Sequence, residues 1–322
     1  MSTVTFTTSI QEQLKFVEQR IRDQAGDEQH PDLRSALEHL LAAGGKRVRP
    51  TLGLLVGNML GAPEEKLITL GASVELLHTA TLVHDDLIDG ALLRRGMPTL
   101  NARWSPAATV LTGDFLFARA AKLAAETDYL PLMKLFSETL AIIVNGELTQ
   151  MFSARGVIER NNYYNRIYAK TASLFEMASL AATMVATEDE RMRESMKAFG
   201  YEVGMAFQIV DDILDFTGEQ ATVGKPIGSD LLNGLITLPA IYYAEEHPDD
   251  EDILSLPGGG WKDTERVQRI VDNIRKNAAV DKAMDEARQA VSRALSALED
   301  APASPERDAL EDLAKFIVAR KA

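Results

Sequence analysis

The sequence contains no cysteine among its 322 residues. This absence excludes a disulfide framework, a thiolate metal site and a cysteine nucleophile. A composition without cysteine is compatible with a reducing compartment, and we expect a cytoplasmic protein.

Long apolar runs are also lacking. No segment reaches the roughly 18 consecutive apolar residues that a membrane-spanning helix requires. The N-terminal residues 1–22 include charged side chains such as Glu12 and Lys15, unlike the uncharged core of a secretory signal. We therefore expect neither an integral membrane segment nor a targeting sequence.

Basic residues are outnumbered by acidic ones. The chain has 34 lysines and arginines against 48 aspartates and glutamates, a net charge of −14. Binding to nucleic acid relies on a basic surface, so no nucleic-acid partner is expected. An anionic small molecule would have to meet a local cluster of cations.

Signals for β-sheet are scarce as well. Sustained alternation and Asn-Gly or Asp-Gly turns are hard to find, whereas apolar residues recur at three- and four-residue intervals from Ser9 onward. No change in composition marks a domain boundary, so we predict one all-α domain over residues 1–322, a single large helical bundle. The predicted helices are 10–25, 31–43, 50–60, 64–89, 107–127, 130–152, 161–186, 188–216, 231–246, 263–277, 281–299 and 305–319.

Two aspartate clusters are the most informative features present. They have the same form, Asp85-Asp86-Leu87-Ile88-Asp89 and Asp211-Asp212-Ile213-Leu214-Asp215, and each lies in an apolar predicted helix. Residues four apart share a helix face, so each cluster places like charges side by side. Mg²⁺ suits such carboxylates, because it takes oxygen ligands and completes its shell with water and substrate phosphates. We expect the polar lines of the two helices to face an interior cavity.

Cations accompany both clusters. Gly44-Gly45-Lys46-Arg47-Val48-Arg49-Pro50 combines them with glycines that let a backbone approach a ligand. Arg94-Arg95 follows the first cluster, Lys170 lies mid-chain and Lys225 follows the second cluster. Carboxylates for Mg²⁺ together with arginines and lysines are the groups needed to bind a diphosphate and stabilise it as it leaves. The phosphate loop of nucleotide hydrolases is absent, which disfavours ATP.

Each feature taken alone has an ordinary structural interpretation. An aspartate cluster can be a solvated helix end, and the charges of Lys46, Arg47 and Arg49 can belong to an ordinary surface. His78 and Gln208 can be buried hydrogen-bonding residues, and Phe207 can simply pack in the core. The combination of paired clusters with arginines favours a chemical role.

In order, spacing and flanking sequence, these motifs resemble the trans-isoprenyl (polyprenyl) diphosphate synthases. The resemblance covers residues 44–239, and His78-Thr79-Ala80-Thr81 and Pro98-Thr99-Leu100-Asn101 resemble the medium- and long-chain branch. It implies an isoprenoid synthase fold, all-helical around a deep central cavity, and a homodimer. The further matching segments are the Asp-Asp-x-x-Asp-x4-Arg-Arg-Gly run ending at Gly96, Gly113-Asp114, Lys170-Thr171, Phe207-Gln208 and Gly224-Lys225-Pro226.

The resemblance implies a prenyltransferase that joins isopentenyl diphosphate head-to-tail to an allylic diphosphate by Mg²⁺-assisted ionisation, condensation and proton elimination. Three Mg²⁺ ions would be bound by Asp85, Asp89 and Asp211, with Asp215 as a further ligand and Asp86 and Asp212 in support. The allylic diphosphate would also contact Arg94, Lys170 and Lys225, and Thr171 and Gln208 would stabilise the carbocation. Isopentenyl diphosphate would be bound by Lys46, Arg47, Arg49, His78, Arg95 and Phe207.

The resemblance also bears on product length. Short-chain members carry bulky aromatic residues one turn before the first cluster, where this chain has Ala80 and Thr81. One helical turn rises about 5.4 Å, so small residues there allow a longer product. We therefore expect a product longer than farnesyl, with geranylgeranyl or farnesyl diphosphate as alternatives.

One position departs from the family pattern, and two other functional classes remain open. Leu235 stands where many members carry a second lysine, so one diphosphate contact is expected to be missing. A terpene cyclase would also ionise an allylic diphosphate, but it needs no second diphosphate pocket. A non-catalytic partner subunit would have no use for six mutually repelling carboxylates.

Overall fold

The computed structural model describes residues 5–25, 31–42, 44–218 and 227–320. Helices dominate these ranges, and the all-α prediction is confirmed. The helices are α1 Gln11–Arg22, α2 Pro31–Ala42, α3 Val48–Met59, α4 Glu64–Ile88, α5 Leu100–Arg103, α6 Pro106–Ala125, α7 Leu130–Phe152, α8 Arg160–Ile167, α9 Ser173–Ala186, α10 Glu190–Thr217, α11 Ser229–Leu232, α12 Leu238–Glu246, α13 Glu251–Leu254, α14 Thr264–Lys276, α15 Ala279–Ala297 and α16 Pro305–Ala319.

A small β-ribbon follows α4, which the sequence analysis did not predict. Strands β1 Leu93–Arg94 and β2 Met97–Pro98 pair antiparallel, with Arg94 opposite Met97. The two residues between them, Arg95 and Gly96, have φ of 51° and 76°. Positive φ at both central residues is the requirement of a tight type I′ hairpin turn, and here an arginine occupies the position that Asn or Asp usually takes.

Two of the predicted helices are interrupted. The prediction of one helix over 231–246 is wrong, because the chain leaves the helical conformation between α11 and α12. Gly234 has φ of 72° in this break, and a Cβ there would lie 2.9 Å from Arg155. The predicted helix 161–186 contains a π-helical turn, Tyr168–Ala172, between α8 and α9.

The contacts of the chain group its residues into two compact units. Unit 1 comprises Met1–Thr139, Leu174–Gly200 and Asp300–Asp312, and unit 2 comprises Leu140–Ser173, Tyr201–Glu299 and Leu313–Ala322. In unit 1, α4 packs against α1, α3 and α6; in unit 2, α12 packs against α8, α14 and α15. The single domain over residues 1–322 stays a prediction.

Helix α4 forms the core of unit 1. It is long and apolar enough to cross a membrane by length and composition alone, but 72% of its most apolar window is buried within the protein. Leu70, Leu76, Leu77 and Ala80 are at most 1% exposed. A helix that is apolar on nearly all sides is expected where other helices cover it, so α4 is a core helix.

Candidate functional site

The predicted site residues fall into one group in each unit. Unit 1 contains the first aspartate cluster, the Gly44–Pro50 loop, His78 and the Arg94-Arg95 pair; unit 2 contains Lys170, Thr171 and the second cluster. The predicted residue Lys225 lies outside the described residues.

The first cluster lies at the C-terminal end of α4. Asp86 is buried, 6% exposed, and accepts hydrogen bonds from Nε of Arg94 at 2.8 and 3.0 Å. Nη2 of Arg94 lies 2.8 Å from the same carboxylate, so the pair is bidentate. Asp85 and Asp89, one helical turn apart, share a different face of the helix, and Asp89 is exposed at its end. The cluster thus offers two outer carboxylates supported by one buried ion pair.

Arg47, in the loop before α3, forms ion pairs with two carboxylates. Arg47 has a positive φ of 48°, and its guanidinium lies 2.7 Å from Glu75 and 3.2 Å from Glu18. Burial acts to lower the pKa of Arg47, but the two carboxylates outweigh it and the net shift is upward. Glu18 is a partner that the sequence analysis missed, because nothing in a sequence pairs residues so far apart.

Gly45 makes room for two arginines. A Cβ on Gly45 would lie 2.9 Å from Nη1 of Arg95 and 3.3 Å from Nη1 of Arg47. The Arg95 guanidinium also donates a hydrogen bond to the carbonyl of Gly44. A larger residue at position 45 would push these guanidinium groups apart, so the glycine has a packing role as well as a conformational one.

His78, two turns before Asp85 on α4, lies among arginines. Its pKa is lowered well below 6.5 by burial, and then by the charges of Arg49, Arg95, Arg94 and Arg47. The imidazole is therefore neutral at pH 7 in a strongly positive environment. Such an environment favours an anion, which is the property expected of a diphosphate site.

The other predicted site residues of unit 1 are Lys46, Arg49, Ala80 and Thr81. Arg49 stacks its guanidinium 4.7 Å above the ring of buried Phe175, and Lys46 is exposed in the loop. Ala80 is fully buried, and the Thr81 hydroxyl donates 2.7 Å to the carbonyl of His78. The chain-length role of these two residues stays a prediction.

Gly113 on α6 lets that helix approach α4 closely. A Cβ on Gly113 would overlap the imidazole of His84, whose Nε2 is 3.1 Å from the carbonyl of Val110 and 3.7 Å from Asp114. His84 directly precedes the first cluster, and the sequence analysis gave it no role. The Gly113-Asp114 segment that the family resemblance includes therefore packs beside that cluster.

The second cluster lies near the C-terminal end of α10. Asp212 is 4% exposed, and its carboxyl accepts hydrogen bonds from the Tyr163 hydroxyl at 2.8 Å and from Nε2 of Gln208 at 2.7 Å. Burial raises the pKa of Asp212 to about 8, and the negative charge of Asp230 adds to the shift. The middle carboxyl of this cluster therefore retains its proton to a higher pH than an ordinary aspartate does.

Asp215 accepts hydrogen bonds from the first residues of α11. Its Oδ1 accepts from the amide and the hydroxyl of Ser229 at 3.2 and 2.7 Å, and its Oδ2 accepts from the amide of Asp230 at 3.2 Å. Amide groups at a helix start lack partners within the helix, so a carboxylate there is stabilising. A metal-ligand role for Asp215 stays a prediction.

Asp211 forms an ion pair with Arg320. Nη1 of Arg320 lies 2.9 Å from Oδ1 of Asp211, and the Arg320 side chain is 7% exposed. Arg320 also lies 4.2 Å from the centre of the Phe207 ring and donates 3.1 Å to the Phe207 carbonyl. This pair could not be predicted from the sequence, because a lone arginine far from any motif carries no signal.

Lys170 and Thr171 lie in the π-helical turn. Nζ of Lys170 is 2.7 Å from Glu147 on α7, and the Thr171 hydroxyl donates 2.6 Å to Oε1 of Gln208. Single π turns inside helices are frequent at functional sites. Glu147 is a further partner that the sequence analysis did not name.

The carboxylates present suit magnesium. Within residues that the structure describes, no group of three or more His, Asp or Glu side chains is arranged to hold a metal by itself. Mg²⁺ usually takes only one or two protein carboxylates and fills its shell with water and phosphate, so Asp85 with Asp89, and Asp211, fit this use. In the structure, Asp211 is paired with the guanidinium of Arg320.

Comparisons with known proteins cover nearly the whole chain. Residues 30–274 match the family described as Polyprenyl synthetase. The all-trans-nonaprenyl-diphosphate synthase (geranyl-diphosphate specific) of Rhodobacter capsulatus is 40% identical over 89% of this chain and 88% of its own length. Heptaprenyl diphosphate synthase component 2 of Bacillus subtilis is 35% identical over 91% and 84%. The crystal structure of a Caulobacter crescentus polyprenyl synthase complexed with calcium and isoprenyl diphosphate matches with a TM-score of 0.92, 34% identity and coverage of 99% and 98%.

Proposed function

The chain belongs to the polyprenyl synthetase family, and we propose that it is a prenyltransferase that condenses isopentenyl diphosphate head-to-tail with an allylic diphosphate. The proposed product is a trans-polyprenyl diphosphate longer than farnesyl. Relatives named for nonaprenyl and heptaprenyl products support that length.

One observation carries the proposal: four arginines from neighbouring elements act on His78 of α4, and a carboxylate pair, Asp85 and Asp89, lies further along the same helix of unit 1. Seven residues separate His78 from Asp85, about 10.5 Å along the axis and close to two full turns, so both lie on one face. A metal-bound diphosphate and a second diphosphate held by arginines can therefore bind side by side.

The proposed mechanism assigns a role to each group. Mg²⁺, proposed as three ions, would be held by Asp85, Asp89 and Asp211, with Asp215 as a further ligand, and would neutralise the diphosphate as it leaves the allylic carbon. Arg94, Lys170 and Lys225 bind the oxygens of that diphosphate, and the oxygens of Thr171 and Gln208 stabilise the carbocation. Isopentenyl diphosphate is bound by Lys46, Arg47, Arg49, His78, Arg95 and Phe207.

The remaining steps involve the two substrates alone. The double bond of isopentenyl diphosphate attacks the allylic carbocation and forms the new carbon–carbon bond. The resulting cation then loses a proton to the departed diphosphate, which restores an alkene. The side chains hold the reacting carbons together and exclude water from the cation.

An assay with radiolabelled isopentenyl diphosphate and each allylic primer tests the proposal. Incorporation of label into an acid-stable chain is expected, and chromatography after dephosphorylation gives its length. Release of diphosphate from the allylic substrate alone, with cyclic hydrocarbons, would identify a cyclase instead. No turnover with any primer would favour a non-catalytic partner subunit.

Ala80→Phe tests the basis for product length. A phenyl ring one turn before Asp85 is expected to stop elongation early, so the product becomes shorter by several isoprene units. Leu92→Phe is the control, because it adds a phenyl ring at a position that is 63% exposed. An unchanged product from Ala80→Phe would place the length determinant elsewhere.

A homodimer is also part of the proposal. Helix α7 carries an exposed apolar stripe, with Val144 46%, Leu148 45%, Met151 49% and Phe152 81% exposed. Contiguous apolar surface of this kind is typical of an interface between subunits. Leu148→Lys is expected to give monomers in analytical ultracentrifugation, whereas Leu254→Lys, at another exposed leucine, leaves the dimer intact. We also propose a cytoplasmic location, on the cysteine-free composition, which cell fractionation tests.

A further inference from the structure

Tyr163 is a buried residue of α8 that the sequence analysis did not single out. Its hydroxyl donates a hydrogen bond of 2.8 Å to Oδ2 of Asp212, and the residue is 1% exposed. The Arg166 guanidinium lies 5.6 Å from the centre of its ring. Because a buried hydroxyl that loses its partner is costly, this bond is a strong constraint on both side chains.

The other oxygen of Asp212 is held as well. Nε2 of Gln208 donates to Oδ1 at 2.7 Å, and Oε1 of Gln208 accepts from the Thr171 hydroxyl at 2.6 Å. A continuous chain of hydrogen bonds therefore runs from Tyr163 on α8, through Asp212 and Gln208 on α10, to the π-helical turn. Every member donates or accepts in a defined direction, so the amide of Gln208 has one orientation.

These bonds restrain the rotation of α10 about its own axis. Asp211 precedes Asp212 by one residue, which is about 100° around the helix. A small rotation of α10 would stretch the bond from Tyr163 to Asp212 and the bond from Thr171 to Gln208, and it would also turn Asp211 away from its present direction. The orientation of Asp211 is thus coupled to the Tyr163 hydroxyl.

Resting on the proposed function, we propose that Tyr163 is a positioning residue for the second aspartate cluster. By holding Asp212, it keeps Asp211 aligned to bind a divalent cation. Tyr163 acts through Asp212 and contacts neither metal nor substrate. The two aspartates then have separate tasks, with Asp212 as the support and Asp211 as the ligand.

Tyr163→Phe tests this role, and Tyr164→Phe is its matched control. Both substitutions remove one hydroxyl from α8, but the Tyr164 hydroxyl donates to Glu286 instead of to an aspartate of the cluster. Mn²⁺ binding in the presence of inorganic diphosphate is measured by calorimetry, and kcat and KM are measured for the allylic diphosphate. Thermal unfolding of each variant is followed in parallel.

We expect Tyr163→Phe to weaken Mn²⁺ binding and to lower kcat by about tenfold each, the effect of one hydrogen bond, with KM little changed. Tyr164→Phe should change neither. Equal Mn²⁺ binding by the wild type and a folded Tyr163→Phe would overturn the inference. If Tyr163→Phe does not fold, Asp212→Ala replaces it, because it removes the acceptor of the Tyr163 hydroxyl, and wild-type Mn²⁺ affinity in that variant would have the same meaning.

The binding measurement separates this inference from the proposed function. A wild-type protein that elongates no primer contradicts the proposed function, whereas the Mn²⁺ titrations still decide whether Tyr163 orients the cluster. Conversely, an active wild type whose Tyr163→Phe and Tyr164→Phe variants bind Mn²⁺ equally leaves the proposed function intact and removes the positioning role.

Discussion

In the first aspartate cluster the buried middle carboxyl, Asp86, is bound by the guanidinium of Arg94, whereas in the second cluster Asp212 is bound by the hydroxyl of Tyr163 and the amide of Gln208. The buried Asp86 carboxylate is compensated by an opposite charge, whereas the buried Asp212 carboxyl is hydrogen-bonded by neutral donors. Burial raises the pKa of Asp212 to about 8, and the hydrogen bonds from the two neutral donors only partly oppose that shift. Two clusters with one sequence pattern therefore differ in the groups that bind the buried middle carboxyl.

The outer carboxylates of the two clusters also differ in their surroundings. In the first cluster Asp89 is exposed at the end of α4, whereas in the second Asp211 is paired with Arg320 and Asp215 caps the start of α11. The first cluster thus has one outer carboxylate, Asp89, exposed at a helix end, whereas both outer carboxylates of the second cluster bind neighbouring groups. A motif specifies where carboxylates occur along a helix, but their neighbours decide which of them a metal can use.

The largest expected effect follows from removing one metal ligand in each cluster. Asp85→Ala and Asp211→Ala should each lower kcat by about 10³-fold or more, because charge developing on the leaving diphosphate loses its stabilisation. Steady-state kinetics measure the loss, and circular dichroism should show unchanged helicity. If only one variant loses activity, the two clusters do not share a catalytic function; if either variant unfolds, that aspartate is structural.

Arg94→Met should lower the free energy of unfolding, because it removes the ion pair with Asp86. Removing one partner of a buried pair leaves an uncompensated charge that costs roughly 3–5 kcal/mol. Because the Arg94 side chain is 35% exposed, solvent screening reduces the expected loss of unfolding free energy to about 2 kcal/mol. Urea denaturation measures it.

The second cluster supplies the contrast for that experiment. Asp212→Asn should cost only about 1 kcal/mol, because the carboxyl it replaces is bound by neutral donors. Adding Asp86→Asn to Arg94→Met should restore part of the lost stability, and Arg103→Met, at an exposed arginine, should have little effect. Equal losses from Arg94→Met and Asp212→Asn would mean that the two burials are energetically alike.

Arg320→Met should strengthen metal binding at the second cluster. The guanidinium competes with any cation for the Asp211 carboxylate, so its removal should lower the Kd for Mn²⁺ about fivefold. Calorimetric titration measures the change. Lys315→Met, which removes the same charge from an exposed position on α16, controls for net charge, and an equal effect of both variants would show that the Arg320 contact has no specific role.

The smallest expected effect concerns pH and the arginines near the first cluster. The pKa of His78 is lowered well below 6.5 in the folded protein, whereas in the unfolded chain it is near 6.5. Below about pH 6.5 the unfolded chain therefore binds a proton that the folded protein does not, and stability falls as the pH drops. About 1 kcal/mol should be lost through this residue between pH 7 and pH 5.5.

His78→Gln should remove that part of the acid sensitivity. Urea denaturation at several pH values measures it, with His39→Gln as a control for the loss of a histidine from unit 1. The same pH dependence in wild type and His78→Gln would mean that the arginines do not act on the imidazole as their positions indicate.

The helices could be predicted from the sequence because their apolar periodicity is local. The bounds of α7 are those predicted, and α4 differs by one residue at its end. The ribbon after α4 and the break before α12 were missed, because each depends on residues with positive φ, Arg95 and Gly234. Such conformations are chosen by the contacts around them, which a periodic pattern does not contain.

The sequence by itself determined the all-helical class, the family, and the spacing of carboxylates and cations, since all of these are properties of residue order along a helix. Only the tertiary structure decided the partners: Glu75 for Arg47, Tyr163 for Asp212 and Arg320 for Asp211. These pairs join residues far apart in the chain. Proximity in space and the local dielectric are created by folding, so no reading of residue order could have supplied them.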